Sequence, residues 1–454
     1  MLNAARALAS THDFSFADFR AREFARLDTQ RHVYLDYTGS ALYADSQIRA
    51  HHDLLREGLF GNPHSEHRPS RASTDLIETA RDTLLHFLDV NALTHDVIFT
   101  ANTSAAIKLV AESYPFAPDT PCILSVDNHN SMNGIREYAR SAGAPVRYLP
   151  LDEELRLHDA EALLAHELTH ARGLLAFPAQ SNFSGVRHPL SLVQYAKSLG
   201  YDVLLDIAAF APSHALSLHD CPADFAALSF YKLFGYPTGL GALVARREAL
   251  DRLRRPWFAG GTVAYASVQA DTHRLRRRHE GFEDGTQNFL GIAALAAGFA
   301  VLEEVDMPRL SAHVAQLTAT FLAELTALRH ANGVPLAQIY GPRDMQARGG
   351  AIAFNICDRE GQAIPYSIVE TAATRENIAL RGGCFCNPGT AEVALALDPK
   401  RTAECLTTLG ADFTVDRFSA CLDSPVGAVR VSFGLANNHD DIHRAVGFLS
   451  TFRD

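Results

Sequence analysis

The sequence predicts an α/β protein: a mostly parallel sheet with helices on both faces, followed by a smaller α/β domain. Two observations carry this. Short apolar runs recur between helical stretches from about residue 95 to 245, and strands alternating with helices imply a parallel sheet covered on both sides. Beyond residue 306 a separate helix-strand pattern begins, and 454 residues at 47% hydrophobic content exceed what one small core requires.

The runs are Val97 to Thr100, Cys122 to Val126, Val146 to Leu149, Leu174 to Phe177, Val203 to Asp206, Ala226 to Ser229 and Leu240 to Val244. Amphipathic helices are expected at Ser104 to Ser113 and Leu190 to Leu199. Arg252 to Arg278, rich in arginine and glycine, reads as an excursion from the sheet. A long helix from about Asn288 to Val305 leads into the second domain, whose strands include Gly350 to Ile356 and Ala428 to Phe433. The expected division is a segment 1–32 packing with the small domain, a large domain 33–290, and a small domain 291–454. Internal repeats and low-complexity tracts are absent.

The net charge of −11 argues against nucleic acid as a partner, because phosphate binding needs a basic surface. The apolar stretch around Leu290 to Leu302 is too short to cross a bilayer, and Met1 to His12 lacks a secretory apolar core. Seven cysteines, only Cys384 and Cys386 clustered, argue against a disulfide framework and for a reducing compartment. A soluble, cytoplasmic protein is expected.

Ligands in such sheets sit at the carboxyl ends of the strands, where Thr100, Asp206 and Ser229 would gather. Lys232 closes a short apolar strand, between Phe230, Tyr231, Leu233 and Phe234 and ahead of a glycine-rich loop. A desolvated ε-amine has a lowered pKa and can add to the aldehyde of pyridoxal phosphate (PLP). Asp206 can hold the pyridine nitrogen protonated, which makes the ring an electron sink. Taken singly, Lys232 is a surface lysine and Asp206 a helix cap; together with the rest of the chain they read as a cofactor site. Thr100 to Ala106 is a strand end turning into a helix, suited to an anion or to an ordinary N-cap. His129 could lie on a cofactor ring or in a polar loop. Asn182 could donate to the PLP phenolate oxygen or build a turn with Ser184 and Gly185. Cys384 and Cys386 between glycines fit a mobile loop with a reactive thiol, and no second cysteine pair or spaced histidines lie nearby to make a metal site. Arg430 is one charge on a strand, suited to a substrate carboxylate or to an exposed strand position.

These residues resemble class V PLP-dependent enzymes of the cysteine desulfurase type, most nearly the N-terminal domain of molybdenum cofactor sulfurases. The resemblance runs from about Val33 to Phe448. It is carried by Tyr34-Leu35-Asp36, Gly61-Asn62-Pro63-His64-Ser65, the Phe177 to Gly185 run, Ser229 to Gly241, Phe282-Glu283-Asp284-Gly285-Thr286, the cysteine loop and the Arg430 strand. It implies a PLP-dependent transferase of fold type I. Lys232 would bind the cofactor covalently, Asp206 pair its ring nitrogen, His129 stack on the ring, and Asn182 bond its oxygen. Thr103, Ser104 and Ser229 would hold its phosphate. Thr286 would reach the phosphate in a neighbouring subunit, implying a homodimer. Arg430, helped by Arg381, would receive the carboxylate of an amino acid, and Cys386, with Cys384 beside it, would take the sulfur and pass it to a protein or small-molecule acceptor.

The chain departs from the family at Tyr231, where many desulfurases have histidine, and at Asp36-Tyr37-Thr38-Gly39-Ser40. It departs again at Thr390-Ala391, and the resemblance does not reach the sulfurases' second domain. The expected reaction releases alanine from L-cysteine or a related sulfur amino acid and leaves a persulfide. The competing expectations are a PLP lyase, decarboxylase or aminotransferase with incidental cysteines, and a non-catalytic sulfur-relay or regulatory protein.

Overall fold

The computed structural model describes residues 14–167 and 172–453; the expectations for Met1 to His12 lie outside them. All seven apolar runs become strands of one sheet. Its order is His95–Thr100, Gly241–Arg246, Phe225–Ser229, Asp202–Asp206, Leu174–Pro178, Cys122–Ser125, Val146–Leu149. Only Gly241–Arg246 runs against its neighbours; the other contacts are parallel.

Alternation along each strand explains why the runs are apolar throughout. Ala226 and Leu228 face one core, with Val203, Leu205 and Phe177. Phe225 and Ala227 face the other, with Leu204, Leu174 and Leu124. A strand covered on both faces has no polar side to present. Helix Thr103–Ser113 covers the second face and helices Ser191–Leu199 and Leu295–Val305 the first. The expected helix from Asn288 to Val305 is instead two, Phe289–Ala293 and Leu295–Val305, meeting at Ala294; the Asn288 side chain accepts from Gly291 N–H (3.1 Å) and caps the first. The arginine-rich excursion holds a two-stranded antiparallel hairpin, Val263–Ser267 and Thr272–Leu275.

A second, antiparallel sheet has the order Ala337–Tyr340, Ala351–Ile356, Ala428–Ser432, Arg381–Gly383. Helix Met307–Ala327 packs on it through Leu317 and Phe321, the latter against Phe354 and Phe433. Strand Val33–Tyr34 pairs with Ile378–Ala379, and Asp36 bridges Ser432, so the chain just past residue 32 is joined to this second sheet. The N-terminal helix Phe16–Glu23 reaches the same region: Arg20 pairs with Asp441 at 2.6 Å, and Phe16 stacks on His313.

The cysteine reading needs a correction. Cys405 and Cys421 are joined in a disulfide that ties helix Pro399–Leu409 to helix Val415–Leu422. The two thiols meet because the helices fold back on each other around Phe418 and Val426, a tertiary effect that an isolated spacing does not signal. Among the described residues, no helix is long and apolar enough to cross a membrane.

Candidate functional site

The sheet's carboxyl edge delivers the site. Thr100 and Ser229 both lie opposite Gly241 in register, and Asp206 lies opposite Ala227 one strand further on. A Cβ on Gly241 would stand 2.5 Å from the Asn102 carbonyl carbon. The missing side chain lets the Asn102 backbone lie on the sheet, and this sets the start of helix Thr103–Ser113 over the strand ends. Above the edge opens a cavity of about 350 Å³ whose wall includes Lys232, Asp206, His129, Asn182, Thr103 and Ser229.

Lys232 does not close a strand as expected. Ser229 ends the strand, and Lys232 sits on a single helical turn, Phe230–Phe234, whose Phe230, Leu233 and Phe234 are buried. Those three side chains wedge the turn into the core and leave the amine facing the cavity. Burial lowers the Lys232 pKa, an effect that Asp206 partly offsets. Burial likewise raises the Asp206 pKa, against Lys232 and an N–H bond from Ala208 (2.9 Å). The two are thus electrostatic partners on the cavity wall.

His129 begins the short helix Asn130–Asn133. Its Nδ1 accepts from Ser131 N–H (3.1 Å) and lies 3.0 Å from Ser131 Oγ, which is 2.5 Å from Ser104 Oγ. An accepting Nδ1 puts the proton of the neutral ring on Nε2. Burial, with Lys232 and Arg430 adding to it, pushes the His129 pKa down to about 4, so the ring is neutral at ordinary pH. On the other side of the helix start, Thr103 N–H donates to Ser229 Oγ (2.8 Å), and the two hydroxyls are 2.6 Å apart. Hydroxyls grouped at a helix N-terminus suit a phosphate.

The cysteine loop is pinned rather than free. Asn130 N–H donates to the Cys386 carbonyl (2.7 Å), and Asn182 Nδ2 donates to the Phe385 carbonyl (2.7 Å). Asn387, fully buried, gives Nδ2 to the Asp127 carbonyl (2.7 Å) and to Asn182 Oδ1 (2.9 Å), and caps helix Pro388–Ala394. Phe385 and Cys386 both have φ near +54°, a conformation that side chains other than glycine adopt at a cost. The glycines of the run predict mobility, but the asparagine after it supplies the anchor. Cys386 is exposed and Cys384 half-buried, with burial raising the Cys384 pKa. Neither thiol is part of the cavity wall.

Arg430 is buried and not at an exposed strand position. Its guanidinium donates to the Asn182 carbonyl (2.7 Å) and to Asp36 Oδ1 (3.0 Å), and lies 4.6 Å from the Phe385 ring centre. Arg381 grips the same carboxylate through Nε (2.9 Å) and a terminal nitrogen (2.6 Å). Thr286 stays outside the cavity of its own chain, in a neighbouring hollow with Asn62, His64, Arg276 and Glu283.

Residue patterns alone passed over three residues of the site. Ser131 stood two residues past a candidate histidine, Asn387 followed the second cysteine, and Asp36 was noted only as part of a family run and of a turn that departs from the family pattern, with no role at the site. Asp127, which pairs with His188 at 2.8 Å beneath His129, belongs to the same supporting layer.

The cavity fits PLP on the structure's own terms. It has a buried amine, a buried carboxylate beside it, a neutral imidazole on one wall and hydroxyls at a helix start. The chain matches the family model "Aminotransferase class-V" over residues 33–445. It is 34% identical to a molybdenum cofactor sulfurase of Arabidopsis thaliana, covering 95% of this chain and 57% of the relative. It is 37% identical to molybdenum cofactor sulfurase 3 of Aedes aegypti, covering 93% and 56%. The chain therefore spans a little over half the length of these curated relatives. A cysteine desulfurase structure from Thermococcus onnurineus NA1 superposes with a TM-score of 0.77 at 25% identity, covering 96% of this chain and 97% of that one. With the family model matched over nine-tenths of its length and the site in place, the chain belongs to the class-V aminotransferase family.

Proposed function

We propose that the protein is a cysteine desulfurase or sulfurtransferase that takes sulfur from L-cysteine, or a related sulfur amino acid, and releases alanine. As a member of its family it is a PLP-dependent enzyme, and its cofactor is pyridoxal 5′-phosphate. When bound, that group draws electrons from the substrate's α-carbon. Lys232 would hold it covalently, Asp206 would face its ring nitrogen, and Thr103, Ser104 and Ser229 would take its phosphate. His129, neutral and protonated on Nε2, would lie on the ring and can hold a proton there. Asn182 has given one Nδ2 hydrogen to the Phe385 carbonyl and keeps the second for the phenolate oxygen.

The observation that carries the reading is the attachment of the cysteine loop to both walls of the cavity, through Asn130 on the His129 side and Asn182 on the other. An ordinary surface loop has no reason to be tied there. Cys386, on the exposed side of this attachment, is the acceptor. Its thiolate attacks the substrate sulfur and an S–S bond forms. The C–S bond breaks with its electron pair left on carbon, which takes a proton and leaves as alanine, while Cys386 keeps the persulfide. Passage of that sulfur to a protein or small-molecule acceptor completes the cycle. The reading includes a homodimer in which Thr286 reaches the partner's phosphate site. A thiol that must stay reduced favours a cytoplasmic location, with the Cys405–Cys421 disulfide counting against it.

Cys386→Ala tests it. The variant should keep the visible absorbance of the bound cofactor and still bind cysteine, yet release little sulfide or alanine; Cys384→Ala should be milder. A double Cys384/Cys386 variant turning over an amino acid at the wild-type rate would overturn the reading and favour a lyase or aminotransferase.

A further inference from the structure

Arg381 and Arg430 are directly opposite partners on two antiparallel strands. Like charges in that position repel, and a carboxylate stands between them. Asp36, one-tenth exposed, takes Arg430 on Oδ1 at 3.0 Å and Arg381 on Oδ2 at 2.6 Å. The turn that carries it is built around this contact. Gly39 N–H and Ser40 N–H both donate to the Asp36 carbonyl (2.9 and 3.1 Å), and a Cβ on Gly39 would stand 2.4 Å from the Asp36 carboxylate. Ala41 N–H then donates to the Tyr231 carbonyl (3.1 Å), which fastens the turn beside Lys232. Arg430 is enclosed: its side chain is 2% exposed, its Nε is buried without a partner, and Phe385 covers its face. Arg381, half-exposed, is the open member of the pair.

A carboxylate bound by two arginines at the edge of an amino-acid site is what a substrate's own carboxylate would look like there. We propose that Asp36 is a specificity-determining residue that competes with the substrate carboxylate for Arg430 and Arg381, so that an amino acid binds by taking over part of a fork already filled. This rests on the reading of the cavity as an amino-acid site. The two arginines without Asp36 would bind any small carboxylate; with it, a ligand needs its amine and thiol contacts as well. Asp36 therefore lowers affinity for carboxylates in general and leaves carboxylate-free ligands unaffected.

The test divides cysteine into two probes: 3-mercaptopropionate, which lacks the amine, and cysteamine, which lacks the carboxylate. Binding of each to the PLP-loaded protein is measured by calorimetry. In Asp36→Asn, 3-mercaptopropionate should bind about tenfold tighter or more, the worth of one charge-assisted contact, with cysteamine unchanged. Equal or weaker binding of 3-mercaptopropionate overturns the proposal, as does a parallel change in both probes, which marks a structural role. Should Asp36→Asn fail to fold, Asp36→Glu, which keeps the charge, must bind 3-mercaptopropionate no more tightly than the wild type; a gain there also overturns it. If neither probe binds the wild type, the amino-acid reading falls and the proposal with it.

Discussion

Asn387→Ala should release the cysteine loop, and the structure sets the size of the effect. The side chain, itself fully buried, makes three contacts: two donations, to the Asp127 carbonyl and to Asn182 Oδ1, and one acceptance from Thr390 N–H (3.2 Å). Losing an N-cap costs about 1 kcal/mol. Leaving the buried Asp127 carbonyl without a donor costs about 1–3 kcal/mol, and the part-buried Asn182 oxygen adds to it. These do not add fully, since one loop motion relieves both, so about 3 kcal/mol of local stability is a conservative sum. If alkylation of half-buried Cys384 proceeds through loop opening, that loss raises its rate about a hundredfold. The assay is iodoacetamide labelling at pH 7, quenched over time and resolved by peptide mass spectrometry, with exposed Cys386 as the internal reference. Asn387→Asp separates the contributions, because it keeps the cap acceptor and removes both donations; it should give most of the effect. Cys384 labelling unchanged in both variants, relative to Cys386, would refute the claim that Asn387 anchors the loop.

Acid should destabilise the fold through four histidines held neutral by burial. His95, His129, His214 and His313 are each pushed from 6.5 down to about 4. Between those values the unfolded chain binds more protons than the folded one, so stability rises with pH across the window and is lost on acidification. The slope is about 1.4 kcal/mol per pH unit per histidine near mid-window. Asp206 and Glu392, both raised, oppose this but are two groups against four. Urea midpoints should fall from pH 7 to pH 5, and equal midpoints would refute the assignment. Light scattering of the active, PLP-loaded protein at micromolar concentration should give the mass of two chains; a single-chain mass with activity intact would contradict the role given to Thr286.

The sheet was legible because its strands are buried on both faces and therefore stand out as unbroken apolar runs. The residues at the strand ends, Thr100, Asp206 and Ser229, were legible for the same reason: a polar group closing such a run is rarely incidental. Lys232 was found from its apolar neighbours, although those neighbours build a helical turn rather than a strand end. What escaped were residues whose importance is made by distant chain. Asp36 and Arg430 are 394 positions apart and Asn387 and Asp127 are 260 apart. Neither pairing leaves a local pattern, because the parallel bridge of Asp36 to Ser432 and the return of the loop to the cavity walls create them. The Cys405–Cys421 pair escaped similarly, since a 16-residue separation is as ordinary for free thiols as for bonded ones.

The row of hydroxyls from Ser104 through Ser131 to His129 ties the helix start to the imidazole without setting its tautomer, which the Ser131 N–H already fixes. With Ser131 giving its hydrogen to Nδ1, its oxygen is free to accept from Ser104, 2.5 Å away. Ser104 then turns a lone pair, not a hydrogen, toward the cavity. An anion settling at the helix start reverses this, drawing the Ser104 hydrogen to itself and leaving Ser131 to serve the imidazole alone. The hydroxyl that would grip a phosphate thus lets go of its neighbour when the anion arrives, while His129, held by the Ser131 N–H, keeps its proton on Nε2 in either state.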